Sequence, residues 1–235
     1  MRIRFAASLA IALTACGGGG GSGGSSTPPT PTATQISVSL TREIDVAQGV
    51  TGIIWDISVK TNGVGIDTAT VTVNGKNVPL KAGFVSGNYW LEYGDNGVNV
   101  WGDATYVPGT DYTVRVDMGA GVVYSDTLRA PGGFTVDPAI TSVAWAHSGN
   151  VASVLVYHLF GADTYTSATL GPNPPSPIAI PASAYPTADT YELSAMVQNK
   201  KWPPGAYPGN GYFDTLVGPD TYFYVQDGYV KRVTK

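Results

Sequence analysis

Cysteine and histidine are nearly missing from this 235-residue chain, with one cysteine and two histidines. No intrachain disulfide can form, so any folded part rests on its apolar core. Zinc needs thiolates or imidazoles at close spacing, and one cysteine with His147 and His158 does not supply them. A Ser-His-Asp arrangement would have to use one of these two histidines, and neither lies in a Gly-x-Ser-x-Gly context. His147 adjoins Ser148-Gly149-Asn150 and reads as a turn residue, while His158 ends an apolar strand. Charge is sparse too: 13% of residues, with 13 Lys and Arg against 17 Asp and Glu. The basic residues are not clustered, which argues against nucleic acid and anionic lipid headgroups as partners. No run approaches the ~20 apolar residues of a membrane-spanning helix.

Glycine and proline are abundant, at 30 and 17 residues, and their placement organises the chain. Arg2 and Arg4 precede the apolar run Phe5–Ala15, which ends in Leu13-Thr14-Ala15-Cys16 and a glycine-rich stretch. As a helix that run would extend roughly 17 Å, about half of a ~30 Å hydrocarbon core. A positive segment followed by a short apolar one is an export signal. The four residues closing it resemble the lipobox of bacterial lipoproteins. That resemblance implies cleavage before Cys16, acylation of Cys16 and attachment to a lipid bilayer. Two or three acyl chains, at ~0.8 kcal/mol per buried CH₂, hold a protein stably. In that family an Asp after the cysteine favours the inner membrane; Gly17 stands here and favours the outer membrane. The other reading is an ordinary cleaved signal with a chance cysteine.

Residues 1–15 are therefore expected to be a signal peptide and 16–35 a disordered tether. Gly17–Gly24 is flexible, and Thr27-Pro28-Pro29-Thr30-Pro31-Thr32 is stiffer and polyproline-like. Its ends would lie ~25 Å apart on average. Loss of Arg2 and Arg4 on cleavage would take the net charge from −4 to −6.

Beyond the tether, apolar and polar residues alternate, and turn residues recur every 8–12 positions, as in a sandwich or barrel. Thr68–Leu80 predicts a hairpin around Asn74-Gly75, residues that accept the positive φ of a type I′ turn. Asp111–Val116 and Val122–Leu128 predict a second hairpin. Pro131-Gly132-Gly133 interrupts the pattern and divides the body into 36–131 and 132–235. Strands are expected at Ile140–Trp145, Val151–Tyr157, Thr190–Gln198, Gly211–Val217, Thr221–Gln226 and Tyr229–Val233. Loops are expected at Gly171–Pro177 and Asn199–Asn210. No long internal repeat is visible.

Val107-Pro108-Gly109-Thr110-Asp111-Tyr112-Thr113-Val114-Arg115-Val116 resembles the segment crossing between sheets in fibronectin type III and related immunoglobulin-like domains. The resemblance implies an all-β fold of two tandem immunoglobulin-like sandwiches, with Tyr112 as a corner residue bonding backward to the backbone. Ile180–Val197 gives a looser echo, with Tyr191 in that role. It departs from the pattern after Val197, where the segment is long and extra strands are expected.

Chemistry-bearing candidates are few. Glu92, Asp95, Asn96, Asn99 and Asp103 offer oxygens for calcium but no EF-hand register, and Asp-Asn-Gly is also turn chemistry. Asp163-Thr164-Tyr165, Asp189-Thr190-Tyr191 and Asp220-Thr221-Tyr222 read as turn aspartates opening strands. No cofactor or metal site is assigned. Trp55 and Trp145 lie in alternating strands and are expected in the core. Tyr89, Trp90, Tyr93 and Trp101 cluster near glycines; Trp202, Tyr207, Tyr212 and Phe213 surround a proline-rich loop. Such rings either cap a sandwich or present faces to a sugar or protein partner.

The leading expectation is a non-catalytic, lipid-anchored envelope protein that binds or scaffolds through its loops. The alternatives are a carbohydrate-binding module using Trp90, Trp101, Trp202 and Tyr207, or an accessory domain of a secreted hydrolase system. The sugar alternative predicts that Trp202→Ala abolishes glycan-array binding at unchanged melting temperature; an array silent with the parent protein rejects it.

Overall fold

The computed structural model describes residues 34–46, 48–81, 83, 85–94, 104–159, 161–170, 173–201 and 223–235. They belong to the second of two units of the chain, Thr32–Lys235. The described residues are all-β, with one short 3-10 turn at Ala182–Ala184.

In the first half the strands are β1 (Thr34–Asp45), β2 (Val50–Thr61), β3 (Val64–Gly65), β4 (Thr70–Val73), β5 (Lys76–Val78), β6 (Asn88–Gly94), β7 (Asp111–Asp117) and β8 (Val123–Arg129). β1 thus takes in Thr34 and Gln35, the last residues assigned to the tether. β4 and β5 close the expected hairpin, with φ of 48° at Asn74 and 78° at Gly75. β7 and β8 form the second one. The second half has β9 (Gly132–Val136), β10 (Ser142–His147), β11 (Val151–His158), β12 (Asp163–Leu170), β13 (Ile178–Ala179), β14 (Thr190–Lys201) and β15 (Phe223–Thr234).

Three sheets result: an eight-stranded one in the order β12-β11-β14-β15-β1-β2-β3 with β6 also on β2, a four-stranded β5-β4-β7-β8 and a three-stranded β13-β10-β9. With the two-residue β3 set aside, both halves repeat one pattern of seven strands. The first, second and fifth strands share one sheet; the others lie in the order fourth-third-sixth-seventh. Period-two alternation produces this layering. Ile36, Val38 and Leu40 of β1 and Trp55, Ile57 and Val59 of β2 face Val71, Val73, Val114 and Val116 in one core. Val143, Trp145, Val154, Val156, Leu193 and Val197 build the other. Each such side chain stabilises the fold by ~1.5–3 kcal/mol when fully buried.

β15 joins the halves. It pairs antiparallel with β14 along its whole length and parallel with β1 from Val38↔Phe223 to Asp45↔Val230. Phe223 and Val225 enter the first core and Val233 the second. The sequence predicts two strands here, separated at Asp227-Gly228; the structure corrects this to one. Asp227 is fully buried, and its carboxylate receives Arg42 Nε at 2.8 Å, Arg42 Nη2 at 2.7 Å and the Gly133 N–H at 2.9 Å. With its acceptors satisfied inside, the aspartate has no need of a turn. β14 likewise runs through Asn199, Lys200 and Lys201, where a loop is expected. The expected strand Gly211–Val217 lies outside the described residues.

Gly132, at φ +103°, leaves room for that carboxylate, since a Cβ there would overlap the Asp227 side chain. Tyr106 completes the junction: its ring lies 5.0 Å from the Arg42 guanidinium and its hydroxyl donates to Pro131 O at 2.9 Å. Asp227→Ala should destabilise the protein by about 3–5 kcal/mol in urea denaturation, because it strands a part-buried arginine. Gly132→Ala should also destabilise it, through overlap and backbone strain.

Candidate functional site

The two tyrosines singled out by resemblance occupy equivalent places, each second in the sixth strand of its half. Tyr112 accepts a hydrogen bond from the Val107 N–H at 2.9 Å and donates to Thr105 O at 3.2 Å. Its ring stacks on Tyr106 at 5.9 Å and meets Trp55 edge-on at 6.3 Å. Tyr191 accepts from the Thr187 N–H at 3.1 Å and donates to Thr187 O at 2.8 Å. Tyr185 packs against it edge-on at 5.2 Å. Both hydroxyls bond backward to the backbone, so they fix the crossing between sheets. Trp55 and Trp145 are buried in the two cores. Trp55 Nε1 donates to Thr105 O at 3.2 Å.

The reactive side chains are dispersed. His147 is the last residue of β10 rather than a turn residue, and its ring sits against Gly109: a Cβ there would lie 2.6 Å from Cε1. The φ of +79° at Gly109 and this close approach both demand glycine in the Pro108-Gly109 turn. His158 stacks on Tyr191 at 4.7 Å and its Nδ1 lies 3.0 Å from Asp189 Oδ2. The Thr190 N–H and His158 hold the Asp189 carboxyl below its ordinary pKa. Asp163 opens β12 and Asp189 precedes β14, in keeping with turn aspartates that start strands. Among the described residues no three His, Cys, Asp or Glu side chains converge on a metal-sized site. Of the calcium candidates only Glu92 is described; Asp95, Asn96, Asn99 and Asp103 lie outside, as does Asp220. A cavity lined by Val38, Val116, Tyr124 and Phe223 measures about 10 Å³, room for roughly one water.

Of the aromatic binding candidates, Trp90 is described; Trp101, Trp202 and Tyr207 lie outside the described residues, as does Cys16. Trp90 stands on the outer face of the large sheet, half-buried. Its Nε1 donates to Glu92 Oε2 at 3.1 Å, and Lys81 Nζ sits 3.7 Å from the ring centroid. That cation–π contact covers one face of the indole. Ladder pairing aligns Trp90, Asp56, Ser39, Tyr224 and Lys200 in one row across five strands. Burial raises the Asp56 pKa, with Lys81 opposing, and raises that of Tyr224. Lys200 is lowered by burial.

Sequence reasoning missed Asp56, Tyr224 and the Arg42–Asp227 pair. Asp56 had a usable signal: it falls between Trp55 and Ile57 in an alternating strand, so it must face outward. Asp227 had a misleading one, since Asp-Gly is ordinary turn chemistry.

The chain matches no protein-family model, and no curated protein shows significant similarity to it.

The raised Asp56 pKa has a pH consequence. The folded state holds this proton more tightly than the unfolded chain, whose carboxyl titrates at its ordinary 3.8. Stability from neutral Asp56 is full below that value and is lost as pH rises through the folded one. Asp56→Asn removes the loss. Urea denaturation should therefore show the variant gaining on the parent as pH rises from the ordinary carboxyl value of 3.8 through the raised folded one.

Proposed function

We propose that this chain is an exported, non-catalytic lipoprotein whose acylated Cys16 holds a β-rich body on a bilayer, where the body binds a partner or serves as a structural part of the envelope. The observation that carries the reading is Leu13-Thr14-Ala15-Cys16, ending a short apolar run and followed by Gly17–Gly24. A cleaved and acylated cysteine explains three things at once: the single thiol, the glycine- and proline-rich segment after it and a body that dispenses with disulfides. Gly17 points to the outer membrane.

The body is read as two tandem immunoglobulin-like sandwiches resembling fibronectin type III domains. Support comes from the shared seven-strand order of the two halves, from a tryptophan in the second strand of each, and from Tyr112 and Tyr191 second in each sixth strand. The Arg42–Asp227 junction fixes the modules together, so the tether and not the body provides reorientation. Such a body presents loops and sheet faces to a partner within the tether's reach of the lipid.

Mass spectrometry of the native protein should find a diacylated or triacylated Cys16 at the N-terminus. Cys16→Ser should move the protein from the membrane fraction to the soluble one without changing its melting temperature. An unmodified Cys16 thiol with Met1 still present would end this reading.

A further inference from the structure

Every sheet edge leaves backbone N–H and C=O groups without a strand partner, and proteins commonly blunt such edges with charge, proline, brevity or cover. Among the described residues, six of the seven edges here are blunted. β3 and β13 are two residues long and β5 is three. β6 is covered by the preceding segment, with the Lys81 N–H donating to Asn88 O at 2.8 Å and the Trp90 N–H to Pro79 O at 2.9 Å. β8 carries Asp126 and Arg129, and is tied to β14 by Lys201–Asp126 and by Asn199 Nδ2 donating to Arg129 O. β9 opens on two glycines, and its Gly133 N–H is taken by Asp227.

β12 is the exception. It runs eight residues, Asp-Thr-Tyr-Thr-Ser-Ala-Thr-Leu, without lysine, arginine or proline, and its one charge, Asp163, is at its start. Its ladder pairs with β11 alone. Thr164 Oγ1 reaches Ala184 O at 2.6 Å, at the start of the strand. Among the described residues no strand pairs with the outer edge from Tyr165 to Thr169, the Tyr165 hydroxyl donates to Ala179 O at 3.1 Å, and Thr166 and Ala168 are exposed on the sheet face. Thr and Tyr also give the segment high β propensity.

We infer that β12 is a docking edge for a second copy of this chain, the two β12 strands pairing antiparallel about a two-fold axis near Thr166 and Ser167. Three features select a second copy over an unrelated strand. The segment is neutral and small on its exposed face, so identical strands meet without opposing charges. A two-fold perpendicular to the sheet keeps inner residues facing inner and outer facing outer, so both cores stay covered. The eight-stranded sheet already extends across a module boundary through β15 and β1, and β12 is its free end. Because the other edges are blunted, pairing closes at the dimer. One ladder buries less than a standard interface, so the dimer is weak and exchanges.

Sedimentation equilibrium of the full chain in density-matched detergent tests this. The parent should show a concentration-dependent monomer–dimer equilibrium. Thr166→Lys with Ala168→Lys should raise the dissociation constant about tenfold or more at unchanged melting temperature, by setting like charges across the two-fold. In a Cys16→Ser background, Thr166→Cys should form a disulfide-linked dimer on mild oxidation, and Ser125→Cys on β8 should not. A strict monomer, a dimer indifferent to the lysines, growth beyond the dimer, or equal cross-linking at Ser125→Cys would each overturn the inference. None of these results bears on acylation of Cys16, which is read by mass alone.

Discussion

One buried carboxylate organises this molecule. Asp227 has no exposed surface, and a charge in that position is tolerated only with its acceptors filled. Arg42 supplies two parallel donors and Gly133 a third. Burial opposes the Arg42 charge, but the hydrogen bond and charge of Asp227 outweigh it and leave the guanidinium pKa raised. Burial and the Asp227 charge likewise push up the Tyr106 pKa, keeping its hydroxyl a donor to Pro131. The consequence is topological. β15 passes straight through Asp227 and contributes side chains to both cores, where a turn would have split it in two.

The pattern of strands was legible because alternation and turn chemistry are local. Asn74-Gly75 placed one hairpin, and Tyr112 marked the crossing whose hydroxyl reaches back to Thr105 and Val107. What escaped the sequence was long-range. The partners Arg42 and Asp227 stand 185 positions apart, and nothing near Asp227 announces a buried ion pair. The parallel β1–β15 ladder has the same character, since register between chain ends is set by packing. A repeat of architecture was expected from the Tyr112 and Tyr191 segments, but the common strand order had no counterpart in repeated residues, because a shared topology needs only matching periodicity. For the aromatic candidates the outcome was mixed. Trp90, grouped by sequence with loop aromatics, lies instead within β6 on the outer face of the large sheet, and Lys81 over its ring could not be foreseen from spacing.

Among the described residues no three His, Cys, Asp or Glu side chains converge on a metal-sized site, and the cavity beside Phe223 has room for about one water. The Asp227 junction ties the two halves of the body together. The wide sheet that results ends, among the described residues, on β12, which pairs with β11 alone.

β15 and its buried ion pair make the two cores one cooperative unit. Scanning calorimetry under reversible conditions tests it most directly. A single transition with equal calorimetric and van't Hoff enthalpies is predicted. Two separable transitions, with one half still folded after the other has melted, would contradict it.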